Sequence, residues 1–224
     1  MNSPQVTPQS PAIELPPAPA GAKELAEIAN LVARNDLAAF EPIAVEQGAT
    51  LLQLKSFEDG GTLLHYAVAK NAKDIVPWLI MHGADLNVRD QKDFTPLHIC
   101  ARVNSVDSAH ALLRKGADMF AREKELLRTP VHMACYCGSH GVLAAMLEKN
   151  GDPMDTDRNG QNALHIAAQR KQFPCVDVLI KSGKVDIHVR DKFNQTALHK
   201  GAWAGSKDIV DLLARQGMHP LLYN

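Results

Sequence analysis

The chain has few cysteines, and their positions argue against disulfide bonds. Four cysteines occur in 224 residues, at irregular spacing. A small secreted domain that relies on disulfides carries a denser and more regular set. We therefore expect reduced thiols and a cytoplasmic or nuclear location.

Long apolar runs and an excess of one charge are also missing. No segment approaches the ~20 apolar residues that a membrane-spanning helix needs, and the first residues lack the basic and apolar regions of a secretory signal. The net charge is −1 at pH 7. This balance argues against a membrane partner and makes bulk attraction to nucleic acid an unfavoured interpretation, while leaving room for a local charged patch.

The short motifs that carry much enzyme chemistry do not occur. The sequence has no Gly-rich phosphate loop, no Gly-x-Ser-x-Gly elbow and no His-Glu-x-x-His pair. We therefore expect neither an enzyme nor a bound cofactor.

One cluster of metal-ligand residue types needs separate treatment. His132, Cys135, Cys137 and His140 lie within nine residues. No second ligand pair stands at zinc-finger spacing, and Cys137 falls on the opposite side of a helix from Cys135. We expect buried or surface thiols at these positions and no metal.

The strongest regularity in the chain is a set of five histidines separated by 33, 34, 33 and 34 residues. They are His65, His98, His132, His165 and His199. Each closes a similar tetrapeptide: in chain order Thr-Leu-Leu-His, Thr-Pro-Leu-His, Thr-Pro-Val-His, Asn-Ala-Leu-His and Thr-Ala-Leu-His. Five copies at one position indicate a structural role, because a catalytic histidine would normally be unique.

The residues around each histidine predict a pair of helices. Thr or Asn before an apolar run is a helix N-cap, and Pro96 and Pro130 occupy the first helical position, where no N–H is needed. A second apolar segment follows, as at 75–80, and ends at a glycine such as Gly83 that supplies a left-handed cap.

The period and the tetrapeptide resemble those of ankyrin repeats. This resemblance covers about nine-tenths of the chain and implies an all-α solenoid of about six helix-turn-helix units with β-hairpin-like loops. We predict a disordered Pro-rich tail at 1–22 and a degenerate capping repeat at 23–57. Five repeats follow, at about 58–90, 91–124, 125–157, 158–191 and 192–224. The extra residue of two 34-residue intervals should lie in loops near 123–126 and 184–185.

The resemblance also implies where a partner binds. Ankyrin proteins bind through a concave face, formed by the hairpin tips and the exposed side of each first helix. The family's positions on that face carry nine Lys or Arg and three Asp or Glu, and they hold four of the eleven aromatic residues. The partner-binding candidates are Phe94, Arg102, Leu126, Arg128, Tyr136, Arg158, Arg170, Lys192, Phe193 and Trp203.

This composition favours one function and leaves others open. Arg and aromatic residues are enriched at interface hot spots, so we expect an adaptor, assembly factor or regulatory subunit, monomeric alone, that binds an acidic or phosphorylated segment of another protein. The alternatives are an ankyrin-type effector acting inside a host cell, a nucleic-acid-binding or enzymatic protein, and a solvated, mildly basic face that binds nothing.

Overall fold

The computed structural model describes residues 21–53, 55 and 59–217, and within them the fold consists of helices and turns without a strand. The all-α prediction is confirmed. Three helices form the N-terminal part: α1 (Gly21–Arg34), α2 (Leu37–Gln47) and α3 (Ala49–Gln53). Ten more follow in pairs: α4 (Leu63–Ala69) and α5 (Ile75–Met81), α6 (Pro96–Val103) and α7 (Val106–Arg114), α8 (Pro130–Cys137) and α9 (His140–Glu148), α10 (Ala163–Gln169) and α11 (Phe173–Lys181), and α12 (Ala197–Trp203) and α13 (Lys207–Arg215).

The pairs stack so that like helices meet. Each first helix packs against the first helix of the next pair, in the order α4, α6, α8, α10 and α12, and the second helices form a parallel row from α5 to α13. The apolar core is one cluster that runs the length of the stack, from Ile28 to Leu213. No single pair encloses its own core, so each pair depends on its neighbours for burial.

Each repeat histidine helps to cap the N-terminus of its own helix. In the second repeat the N–H of Thr95 donates to Nδ1 of His98 at 3.1 Å, and the Thr95 hydroxyl lies 2.9 Å from the same nitrogen. His65, His132 and His199 have the same arrangement with their own Thr. Because Nδ1 accepts a hydrogen bond in these repeats, the neutral ring carries its proton on Nε2. The fourth repeat begins with Asn162 instead, whose Oδ1 accepts from the backbone N–H of His165 at 3.1 Å.

Three of these rings also link one repeat to the next. The Nε2 groups of His65, His98 and His165 donate to the carbonyl oxygens of Phe94, Arg128 and Gln195 in the following repeats, at 3.0–3.1 Å. The third repeat differs, because Nε2 of His132 donates to the carbonyl oxygen of Asp155 at 2.9 Å. This ring therefore links its helix to the loop at the end of its own repeat.

Turns between the helices require left-handed backbone. The residues that follow the first helices have φ between 55° and 81° at Asn35, Asn71, Asn104, Gly138, Lys171 and Gly205. Asn and Gly adopt this region more readily than other residues. Lys171 is the exception among the six.

The N-terminal part departs from the sequence-based expectation in two places. Helix α1 begins at Gly21, so the last two residues of the predicted 1–22 tail belong to a helix, while 1–20 lie outside the described residues. The expected break at Asn35-Asp36 is present, with Asp36 accepting from the N–H of Ala39. Gly48 ends α2 as expected, but the short helix α3 was not predicted. The final residues, 218–224, also lie outside the description.

Removal of one linking ring should lower stability without changing the fold. We expect His132→Ala to reduce the free energy of unfolding by about 1–3 kcal/mol, because two buried hydrogen bonds and part of the packing are lost. Denaturant unfolding followed by circular dichroism measures the change. The exposed His140 provides the control, since His140→Ala should have little effect; equal losses in the two variants would contradict the linking role.

Acidification should weaken the stack through the same histidines. Burial lowers the pKa of His65, His132 and His165 from the ordinary value of 6.5, and lowers that of His98 to about 4, against the opposing effect of the carbonyl each ring contacts. The folded protein therefore binds fewer protons than the unfolded chain below pH 6.5, and stability falls as the pH drops from 6.5 towards 4. The denaturation midpoint should be lower at about pH 5 than at about pH 7.5. His132→Ala should show a smaller decrease, and an unchanged midpoint in the wild type would contradict the neutral buried state.

Candidate partner-binding face

One buried carboxylate organises each of four hairpin tips. These residues are Asp90, Glu123, Asp157 and Asp191, all less than a tenth exposed. Each accepts backbone N–H groups of its own tip; Asp90 Oδ1, for example, accepts from Lys92 at 2.8 Å and Phe94 at 2.9 Å. These four acids are not among the residues predicted from the sequence, although they recur with nearly the period of the histidines.

Neighbouring tips are joined by backbone hydrogen bonds. Each bond runs from an N–H in one tip to a carbonyl in the preceding tip, at 2.8–3.1 Å. The pairs are Gln91 to Asp59, Lys124 to Lys92, Arg158 to Leu126 and Lys192 to Asn159. The tips therefore hold their side chains at a fixed spacing along the stack.

The tip of the third repeat is longer and strained. The backbone hydrogen bond that closes this tip runs from the N–H of Glu123 to the carbonyl of Arg128, five residues later. In the next tip the equivalent bond, from the N–H of Asp157 to the carbonyl of Gln161, spans four residues. The extra residue thus lies near 123–126, as predicted, and the longer Glu123 side chain reaches three N–H groups in this tip. Leu127 has φ 58°, where the other tips have Gly, Asp or Asn, and it is 37% exposed.

Two arginines stack on one tyrosine near the middle of the stack of repeats. The Cζ atoms of Arg128 and Arg170 lie 4.6 and 4.2 Å from the centre of the Tyr136 ring. Tyr136 projects from α8, Arg128 precedes that helix in the same repeat, and Arg170 follows α10 in the next repeat. The cation–π contacts therefore join two repeats and fix both guanidinium planes.

Arg128 is less available to a partner than the sequence indicates. Its side chain is 11% exposed, and its Nε lies 3.4 Å from Oδ2 of Asp157, whose side chain is fully buried. This ion pair uses part of the guanidinium and positions it beside Tyr136. Arg170 and Arg102, in contrast, are exposed, and neither makes an ion pair within the described part of the chain.

Arg102 lies on the helix next to the stacked arginines. It occupies in α6 the position that Tyr136 occupies in α8, four residues after the repeat histidine, and these two helices pack together. Arg102, Arg128 and Arg170 thus come from three successive repeats. Desolvation raises the pKa of the half-buried Cys137 thiol, and the charges of these arginines act on it in the opposite direction.

The C-terminal repeat presents its aromatic residues to solvent. Trp203 is 81% exposed and Phe193 is 64% exposed, with Nζ of Lys200 5.5 Å from the Phe193 ring centre. Lys200 is itself buried and lies 2.7 Å from Oδ2 of Asp191. Desolvation raises the pKa of Asp191, but Lys200 and two backbone N–H donors outweigh it and hold the pKa below its ordinary value.

The remaining candidates occupy two environments. Phe94 and Leu126 are half-buried, and the Phe94 ring packs at 5.5 Å from that of His98. Arg158 and Lys192 are exposed at the tips, where Nζ of Lys192 donates to the Arg158 carbonyl at 2.7 Å. The predicted residues therefore lie along several repeats, and those of the central group, Arg128, Tyr136 and Arg170, are joined through one aromatic ring.

Two findings concern functions that the sequence did not favour. No group of three or more His, Cys, Asp or Glu side chains within the described ranges is arranged to hold a metal ion. Both ring nitrogens of His132 are engaged in hydrogen bonds, and Cys135 is fully buried in the core. Over the same ranges, no helix is long and apolar enough to cross a membrane.

The stacked helix pairs and their linking histidines define a repeat protein of the ankyrin type, and sequence comparison agrees. The family model for ankyrin repeats in three copies matches residues 29–123 and 131–224. The chain therefore belongs to the ankyrin-repeat family.

Several characterised proteins resemble parts of the chain. Inversin from Canis lupus familiaris is 31% identical over 156 residues, covering 68% of this chain and 14% of inversin. The B-cell lymphoma 3 protein homolog of Mus musculus is 30% identical over 57% of this chain and 30% of its own length. The probable 26S proteasome regulatory subunit p28 of Saccharomyces cerevisiae is 28% identical over 74% of this chain and 60% of its own length. The chain thus spans less than two thirds of each of these relatives.

Family membership defines the general role of the chain. Ankyrin repeats form protein–protein interaction modules, and such modules are generally not enzymes.

Relief of the backbone strain in the third tip should stabilise the protein. We expect Leu127→Asn to raise the free energy of unfolding by about 1 kcal/mol, because Asn tolerates the left-handed region that a bulky side chain disfavours. Leu126→Asn is the control, since Leu126 has no positive φ and is half-buried. Chemical denaturation of both variants measures the difference, and destabilisation by Leu127→Asn would show that its side-chain contacts outweigh the strain.

Proposed function

We propose that this protein is an adaptor, assembly factor or regulatory subunit that binds an acidic segment of another protein along its concave face. The observation that carries the proposal is the central cluster of Arg102, Arg128, Arg170 and Tyr136. Two of its three arginines have no acidic partner among the described residues, so their charge is available to a ligand.

The geometry of the cluster suits carboxylate recognition. A guanidinium that stacks on an aromatic ring retains in-plane N–H donors, which can form charge-assisted and bidentate bonds with a carboxylate. Arg128 and Arg170 are held in this way by Tyr136. Ordered donors lose less conformational entropy on binding than free surface arginines do.

Apolar contact would come from aromatic side chains on the same face. Trp203 and Phe193 expose most of their surface, and Tyr136 is half-buried between arginines. Hot-spot residues, among which Trp, Tyr and Arg are enriched, each cost roughly 2 kcal/mol or more of binding free energy when truncated. A partner segment that covers the middle and C-terminal repeats would bury both kinds of contact.

The relatives support a role in assembly or regulation. The name of the yeast relative describes a probable regulatory subunit of the 26S proteasome, and this chain matches 60% of it. A comparable role for this chain, within a complex of its own, is consistent with the face described above. The thiols of Cys100, Cys135 and Cys175 are fully buried and free, which suits the reducing cytoplasm or nucleus.

Reversal of two charges tests the proposal. Arg102→Glu together with Arg170→Glu should reduce capture of the natural partner and its salt sensitivity, because an attraction between opposite charges becomes a repulsion. The partner is first identified by affinity capture with the wild type and mass spectrometry, and its binding is then measured with purified proteins. Thermal stability should change little, since both arginines are exposed.

A matched control removes the same charges elsewhere. Arg114→Glu with Arg215→Glu alters two exposed arginines in the last turns of second helices, and it should leave binding unchanged. Full binding by the Arg102/Arg170 variant, together with loss of binding by this control, would show that the partner uses the other side of the stack.

A further inference from the structure

The three central arginines concentrate positive charge in one small region of the surface. Arg128 and Arg170 both contact the Tyr136 ring, and Arg102 occupies the matching position of the neighbouring helix α6. Asp157 is the one carboxylate of the described residues that pairs with any of them. The local charge is therefore three positive against one negative. The carboxylates of an extended acidic segment are spread along its length. The N–H donors of this cluster lie close together and would suit a single group that carries two negative charges.

The stacking on Tyr136 adds to this concentration. The ring contacts two guanidinium groups, with Cζ atoms 4.6 and 4.2 Å from its centre. Like charges repel one another at such distances, and Asp157 neutralises one of them. A bound dianion would remove the remaining repulsion and would accept hydrogen bonds from more than one arginine at once.

We propose that this cluster binds a phosphoryl group on the partner segment, so that phosphorylation of the partner controls its capture. The proposal rests on the proposed function, since it assumes that a segment of another protein lies on the concave face. A phosphoryl group carries close to two negative charges and three acceptor oxygens on one atom. That chemistry matches three neighbouring guanidinium groups better than the chemistry of single carboxylates does.

Cys137 provides a direct reporter of occupancy. It is half-buried beside the cluster, whereas the other three cysteines, Cys100, Cys135 and Cys175, are fully buried. Alkylation by iodoacetamide in the folded protein should therefore occur first at Cys137. Because a group bound between the arginines would cover this sulfur, the rate of alkylation at Cys137, measured by mass spectrometry, reports binding at this position.

The experiment compares three peptide libraries that differ at one residue. Each has the same random flanking residues and a central phosphoserine, glutamate or serine, and binding is followed by fluorescence anisotropy and by the Cys137 alkylation rate. We expect the phosphoserine library to bind about tenfold more tightly than the glutamate library and to slow alkylation. Arg102→Gln with Arg170→Gln should abolish this preference, while Arg114→Gln with Arg215→Gln should preserve it.

The outcomes separate the two proposals. Equal binding of the phosphoserine and glutamate libraries, lost in the Arg102/Arg170 variant, would overturn phosphoryl recognition and leave the acidic-segment proposal standing. No binding of any library, with Cys137 alkylated at one rate throughout, would overturn both. Protection of Cys137 by inorganic phosphate or phosphatidylserine vesicles as strong as that by the phosphoserine library would show general anion binding and would overturn a phosphorylated segment as the ligand.

Discussion

The architecture depends on the hydrogen bonds of the buried repeat histidines. Three of the rings donate through Nε2 to a carbonyl of the following repeat, and His132 donates to the Asp155 carbonyl at the end of its own repeat. In the repeats that begin with Thr, a neutral ring with its proton on Nε2 also accepts from its own helix start through Nδ1. Since no helix pair encloses its own core, these rings fix the register in which the apolar surfaces of neighbouring repeats meet.

A second set of buried groups gives the concave face its charge. The acids that organise the tips are buried, and their oxygens accept hydrogen bonds from backbone N–H groups or pair with a basic side chain. They are Asp90, Glu123, Asp157 and Asp191. Many negative charges of the tips are therefore internal, while exposed residues such as Arg102 and Arg170 face solvent. A chain of net charge −1 can in this way present a basic surface.

Regular features could be predicted from the sequence, and features that depend on contacts between repeats could not. The histidine spacing predicted the helix pairs, and the 34-residue interval predicted the insertion near 123–126. Burial of Arg128 depends on Asp157, which lies 29 residues away in another tip, and no local pattern reports such a pair. The acids of the tips were detectable as a repeat but were obscured by the use of Glu at one position. Helix α3 follows directly on Gly48, where the pattern indicated only a stop.

The central cluster draws one arginine from each of three successive repeats, so its existence requires all three to be folded together. Local opening of any one of them would disperse the cluster, whereas fraying of α1 or α13 at the ends of the stack would leave it intact. A ligand that binds Arg102, Arg128 and Arg170 at the same time would stabilise the three middle repeats together. Amide hydrogens of α6, α8 and α10 would then exchange more slowly as a single block, so that occupancy of a surface site determines how cooperatively the middle of the molecule unfolds.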